Sequence, residues 1–346
     1  MRVREFAVDL RRPLSTAKGD IDRREGFLVA VETADATGVG EATPLPGWTE
    51  SLAECRNALE SVGDPETALT DGTLDDTPAA RHAVSLALAD ARARDEDRSL
   101  TSSFALSSSL ATDSHTSVPV NSTIGDSGVE STVEAAMDAV AAGYDCLKVK
   151  VGARAPEDDI ERLSAVRDAV GPTVSIRADA NGAWDRWTAD RFLDGIASLE
   201  LEYLEQPLAA EVLDGHAALR RLHDTPIALD ESLAAVSPER AIASNAADVL
   251  VCKPMALGGP ERVLSVAERA EDAGAGVVVT TTIDAVVARL GALHVAATLP
   301  RIRAHGLATA SFLDADLAPD PAPVRDGAMT VPEGPGLGID VASLFD

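Results

Sequence analysis

The chain has 346 residues, 57 acidic against 30 basic side chains and a formal net charge of -27, with 45% hydrophobic residues. That apolar share excludes an acidic disordered tail, and the length allows one large domain or two moderate ones. A field this negative repels phosphate backbones and argues against a nucleic-acid partner.

Residues 1–35 read as strands. Phe6, Val8 and Leu10 share one face of the first, and Gly26–Val31 is compact and apolar. Between them, residues 11–24 are polar and turn-rich, which predicts a loop closing over a site and excluding water. Gly38–Ala42 continues a sheet edge until Pro44, Pro46 and Gly47 end it. Residues 50–61 and 77–94 predict helices, and residues 99–117 are rich in Ser and Thr and weakly patterned.

From Val118 short apolar strands alternate with helical patterns. The predicted strands are Val118–Asn121, Cys146–Val151, Val174–Asp179, Tyr203–Glu205, Ile227–Asp230, Val249–Lys253, Gly276–Thr280 and Ala304–Gly306. Eight strands with intervening helices over about 190 residues suit a closed parallel barrel. An open parallel sheet shares the alternation, although no Gly-x-Gly-x-x-Gly follows a strand. Residues 311–346 hold strand-like pieces at 328–331 and 337–341 and are expected to return to the N-terminal part.

The start, MRVREFAVDLRR, carries no apolar signal region, and no stretch approaches the roughly 20 apolar residues of a membrane helix. A cytoplasmic protein with no membrane partner is the expectation. Cys55, Cys146 and Cys252 are far apart and odd in number, suiting neither a disulfide framework nor a cysteine-rich zinc site. An acidic, lysine-poor composition fits a salt-loving organism, where high salt screens the repulsion between carboxylates. A homo-oligomer stays open.

Charged residues at strand ends are the anomaly. Lys150, Asp179, Glu205, Asp230 and Lys253 follow one another at separations of 29, 26, 25 and 23 residues, one per strand–helix unit. In a barrel these positions fall on the C-terminal rim, where chemistry occurs. Alternation places Lys148 with Lys150, and Arg177 with Asp179, on one face. Each acid alone also suits the first turn of a following helix. Three converging carboxylates, however, repel unless a cation joins them, and oxygen ligands suit Mg²⁺, with Mn²⁺ as a substitute. Glu231, of the opposite parity, and Glu202, before its strand end, are weaker ligand candidates.

Only four basic residues are lysines: Lys18, Lys148, Lys150 and Lys253. A lysine can cycle a proton and an arginine cannot, so three of the four at proposed site positions point to acid–base work. Lys150 and Lys253 would face each other across a bound substrate, with Lys148 tuning Lys150. A metal beside a lysine base points to abstraction of a proton next to a carboxylate, giving an ene-diolate.

At these residues the chain resembles the enolase superfamily, in its muconate-lactonising-like branch. The resemblance rests on the Lys148-x-Lys150 pair, on Asp179, Glu205 and Asp230, and on Lys253, and spans nearly the whole chain. It implies a (β/α)₇β modified TIM barrel at 116–310, with an α+β capping domain from residues 1–115 and the 311–346 tail. Within that branch, Gly40–Trp48, Leu147–Gly152, Ile176–Asn181 and His305–Thr309 are similar to segments of the o-succinylbenzoate synthases. That likeness implies Mg²⁺-dependent dehydration of 2-succinyl-6-hydroxy-2,4-cyclohexadiene-1-carboxylate, a step of menaquinone biosynthesis. Lys150 would be its base and Lys253 a cationic stabiliser. The missing Asp-x-Asp at the barrel end argues against dipeptide epimerase activity. An N-acylamino acid racemase or a cycloisomerase of the branch would share nearly the same site. The remaining candidates for substrate contact or tuning are Arg177, Asn181, Lys18, Trp48 and Ile283; Thr281–Asp284 departs from the Ser-rich pattern common there.

Overall fold

A computed structural model describes residues 1–16, 19–110 and 114–345. The N-terminal part is a three-stranded antiparallel sheet of β1 (Arg2–Thr16), β2 (Gly19–Glu32) and β3 (Thr37–Ala42). It is followed by α1 (Leu52–Ser61), α2 (Pro65–Thr70), α3 (Pro78–Asp95) and α4 (Leu100–Ser107). Ser51 starts α1 with a reciprocal capping box to Glu54, while proline occupies the first turn of α2 and α3. The sheet lies so close to α3 that a Cβ on Gly40 would stand 1.9 Å from the Ala83 carbonyl oxygen, which explains why glycine is found there.

Of the expected loop at 11–24, the described residues 11–16 and 19–24 belong instead to two paired strands. Leu14 pairs with Ile21 and Thr16 with Gly19, after a register shift between Asp9 and Leu14. The polarity of this stretch misleads because residues 11–13, 22 and 23 are exposed, and charge cross-links the two strands between Arg23 and Asp9 at 2.8 Å. Residues 99–117 also differ from expectation: Ser99 accepts from the Ser102 amide and starts α4.

Next come β4 (Ser117–Pro119), β5 (Ser122–Ile124), α5 (Val129–Ala141), β6 (Cys146–Lys150), α6 (Pro156–Val170), β7 (Ser175–Asp179), α7 (Arg186–Ile196), β8 (Tyr203–Glu205) and α8 (Leu213–Leu222). They continue as β9 (Ile227–Leu229), α9 (Ser232–Ala235), α10 (Pro238–Ala243), β10 (Val249–Cys252), α11 (Pro254–Leu257), α12 (Pro260–Asp272), β11 (Gly276–Val279), α13 (Val286–Thr298) and β12 (Ala328–Thr330). Strands β5 to β11 form one parallel sheet in sequential order. The segment around His305 closes it: His305 bridges to Val120 on one side and Gly306 to Thr280 on the other, both parallel. The architecture is a (β/α)₇β barrel with an N-terminal α+β region. Val118, expected to open the first barrel strand, instead pairs antiparallel with Met329 of β12, so the barrel strand begins after it.

All thirteen residues of α13 are buried, because the helix lies between the barrel and the N-terminal layer. In the tail, Leu313 packs on Val8 and Leu10, and Gly336 bridges to Ser99. The stretch 337–341 forms no strand, although Leu337, Ile339 and Val341 are buried. Among the described residues no helix is long and apolar enough to cross a membrane.

Candidate active site

Strand register builds the site. Lys150 of β6 pairs with Asp179 of β7, and Asp179 pairs with Glu205 of β8, so the three stand in one row at the strand ends. Asp230 and Lys253 follow one residue after β9 and β10. All five expected rim residues, with Lys148, are therefore brought together.

Lys148 Nζ lies 2.8 Å from Asp179 Oδ2 and 2.6 Å from Glu205 Oε1. Lys150 Nζ donates to Asp179 Oδ2 at 2.6 Å and to Asn181 Oδ1 at 2.8 Å. Lys253 Nζ is held by both oxygens of Asp230, at 2.5 and 2.6 Å, and stands 3.3 Å from the centre of the Trp48 ring. Trp48 thus reaches the rim from the N-terminal region and faces a desolvated cation.

Burial opposes the charge of Lys148, but Asp179 and Glu205 outweigh it and hold its pKa well above the usual lysine range. It is a fixed cation. Burial also works against ionised Asp179, yet Lys148 and Lys150 keep its pKa below the usual range. Burial and then Asp179 push Glu205 up to about 7. Burial likewise raises Asp230, and burial followed by the Asp179 charge raises Glu231.

Glu231 belongs to this cluster although parity spoke against it: Asn181 Nδ2 donates to its Oε1 at 2.9 Å. The strand ends at Leu229, so the two-residue alternation does not extend that far. Four carboxylates therefore meet three ammonium groups. Glu205 Oε2 and Glu231 Oε2 are buried without a hydrogen-bond partner, an unfavourable state that a hard cation would relieve. Among the described residues no three acidic, histidine or cysteine side chains form a ready-made cage, since the ammonium groups are drawn onto these oxygens. The donor set itself, all carboxylate oxygen at matched strand ends, fits Mg²⁺.

Arg177 is absent from this rim. It lies a row below with Lys148 and Tyr203, fully buried. Its Nε and Nη2 donate to Glu202 at 2.8 and 3.1 Å, and Nη1 donates to Asn121 Oδ1 at 3.2 Å. The expected tuning or substrate contact is corrected: every arm of the guanidinium is engaged in the barrel floor. The same pairing, with Arg303 at 3.3 Å, removes Glu202 from the ligand candidates. Lys18 lies outside the described residues. Ile283 follows the seventh strand at φ +62°, a conformation that β-branched residues rarely adopt.

Sequence reasoning missed Gln206. Its Oε1 accepts from the amides of Asp230 and Ser232 at 3.0 and 3.1 Å, and its Nε2 donates to Ser232 Oγ at 2.9 Å. It fixes the backbone that carries Asp230. Its adjacency to Glu205 was the available signal; its φ of +41° was not legible. The three cysteines are free and buried, and burial raises each thiol, Cys146 and Cys252 to about 12.

Residues 131–343 match the family described as enolase C-terminal domain-like, and residues 2–91 match the MenC N-terminal domain. An o-succinylbenzoate synthase of Thermobifida fusca is 42% identical over 59% of this chain and 63% of that enzyme. An N-succinylamino acid racemase of Thermus thermophilus is 37% identical over 63% of this chain and 58% of its own. The chain spans only about six tenths of each of these two relatives. A dipeptide epimerase of Methylococcus capsulatus, solved with Mg and the dipeptide L-Arg-D-Lys, superposes with a TM-score of 0.84 at 31% identity, covering 97% of this chain and 98% of that one. Fold, site row and family match agree: the chain belongs to the enolase superfamily, in its muconate-lactonising-like branch.

Proposed function

We propose that the protein dehydrates 2-succinyl-6-hydroxy-2,4-cyclohexadiene-1-carboxylate to 2-succinylbenzoate, as an o-succinylbenzoate synthase. The observation that carries this reading is the inequality of the two facing lysines. Lys150 keeps 33% of its side chain exposed, whereas Lys253 keeps 10% and stands against the face of Trp48. One accessible base opposite one fixed cation suits a reaction in which a single face exchanges protons.

Lys150 takes the proton from the carbon that bears the ring carboxylate. The electron pair forms the new ring double bond as the carbon–oxygen bond to the hydroxyl breaks, and Lys150 returns its proton to that oxygen, releasing water. Lys253 presents positive charge to the opposite ring face. Lys148 holds Asp179 in its ionised form and donates to Glu205. Asn181 orients Lys150 by accepting from its ammonium group. Asp179, Glu205 and Asp230 would hold Mg²⁺, which when bound supplies positive charge against the charge developing on the substrate carboxylate.

A second reading is racemisation of N-acylamino acids, or cycloisomerisation, by the same proton abstraction. The breadth of the relatives weighs toward it, since the racemase and the epimerase act under the same fold. On that reading Lys253 acts as the second base. The deciding assay offers purified protein the dehydration substrate and, separately, N-succinylamino acids, with Mg²⁺ at high salt. Succinylbenzoate formation is the expected result. Rapid racemisation with negligible dehydration reverses the assignment. Lys253→Arg sharpens the choice: dehydration is expected to fall by less than about tenfold, whereas a two-base racemase loses its activity.

A further inference from the structure

Ile283 holds a left-handed backbone conformation that is strained for a β-branched residue and persists only where its surroundings fix it. What fixes it comes from the N-terminal sheet. Arg24, buried on β2, donates from Nε to the Ile283 carbonyl at 3.3 Å, from Nη2 to the Thr43 carbonyl at 2.7 Å and from Nη1 to the Pro44 carbonyl at 3.2 Å. Glu41, buried on β3, accepts the Ala285 amide on Oε1 at 2.8 Å and the Ala288 amide on Oε2 at 2.9 Å. Its Oε1 also accepts from Thr43 Oγ1 at 2.5 Å. The first turn of α13 is thus capped by a carboxylate from another layer of the molecule.

These contacts converge from both sides of the rim. The chain from Thr43 to Trp48 leads from the Arg24 contact to the ring that faces Lys253, and the Thr43 amide donates to Met255 Sδ at 3.4 Å. On the other side, Ile283 packs against the cluster of Val8, Leu10 and Leu313. Two segments that border the proposed site, one after the seventh strand and one from the N-terminal layer, share one buried joint.

We propose that Arg24 and Glu41 are positioning residues, which hold Ile283 and the Thr43–Trp48 segment in register at the mouth of the site and so set substrate binding. Neither touches the reacting atoms. The proposal rests on the function proposed above for its kinetic readout, but not for its structural one.

The test compares wild type with Glu41→Gln and Arg24→Lys. Asp90→Asn serves as a control; Asp90 is a buried carboxylate whose partners are the Val39 and Leu337 amides, at 2.9 and 2.7 Å, and Arg94. Michaelis constants are measured with whichever substrate the wild type turns over, alongside thermal melts and hydrogen–deuterium exchange. Both joint variants are expected to raise KM by about tenfold with kcat within about threefold, and to raise exchange in residues 281–289. Asp90→Asn is expected to lower Tm with KM unchanged. Arg24→Lys keeps the charge and loses the three-carbonyl reach, so it serves if Glu41→Gln fails to fold. An unchanged KM in the folded joint variants overturns the proposal, as does an equal KM rise in Asp90→Asn. Should the wild type turn over neither substrate, the proposed function fails and exchange alone decides: a rise confined to residues 281–289 supports the joint, and unchanged protection overturns it.

Discussion

Two buried ionic clusters occupy the same barrel, one row apart. In the floor, Arg177 meets Glu202 through two nitrogens, donates to Asn121 and stacks over Tyr203 at 4.8 Å. There one strong cation is matched bond for bond. At the rim, four carboxylates face three ammonium groups, and two carboxylate oxygens have no partner. A saturated network fixes one arrangement; an unsaturated one retains capacity for a ligand. The backbone agrees. Asn181, Gln206 and Ile283, each just beyond a barrel strand, have φ of +45°, +41° and +62°. Such strain clusters at functional sites.

The sharpest way to break this contrast is to exchange its consequences. Lys150→Ala is expected to reduce turnover by roughly 10²–10⁴-fold while leaving Tm within a few degrees, read by steady-state kinetics and a thermal melt. Retained turnover would remove Lys150 from the mechanism. Arg177→Met should do the reverse. It leaves Glu202 with Arg303 as its remaining cation and Asn121 Oδ1 without its donor, and is expected to cost about 1–3 kcal/mol in denaturant unfolding, with kcat per folded molecule little changed. A loss of kcat at full stability would move Arg177 back into the site.

Gln206→Leu refines the comparison within the rim. It removes the acceptor that fixes the Asp230 backbone and is expected to weaken Mg²⁺ binding by about 10–100-fold in calorimetry. Unchanged affinity would show that the Asp230 loop needs no such brace.

The smallest effect concerns the joint beneath Ile283. Burial first, and then the Asp284 charge, push Glu41 up to about 7 from an ordinary 4.5. A raised acid binds its proton more tightly in the folded chain than in the unfolded one. Its contribution is fully present below pH 4.5 and is lost as pH rises through about 7. Over that window Glu41→Gln is expected to lose less stability than wild type, by on the order of 1–3 kcal/mol, in unfolding midpoints taken at each pH. Parallel curves for the two proteins would show that Glu41 stays ionised throughout.

Lys150, Asp179, Glu205, Asp230 and Lys253 were legible because a barrel strand fixes which end and which face each residue occupies, and the spacing repeats that rule. The lysine shortage added chemistry to geometry, since a surviving lysine among arginines marks a position where proton exchange or a compact cation matters. The paired strands at 11–16 and 19–24 were not legible: their ends are polar on both faces, so no alternation marks them. Glu231 escaped the parity rule because its strand stops first. Arg177 has the right parity and the wrong height, and height within a barrel depends on which partner waits at that level. Gln206, Arg24 and Glu41 act through backbone amides and carbonyls supplied by distant segments.

The sequence by itself determined the order of strands, the row of charges and the scarcity of lysine, because these follow from local periodicity and side-chain chemistry. Only the tertiary structure decided which charges are saturated and which are left open. That depends on the partners that other strands and the N-terminal sheet bring within hydrogen-bond distance, and on how little water remains between them.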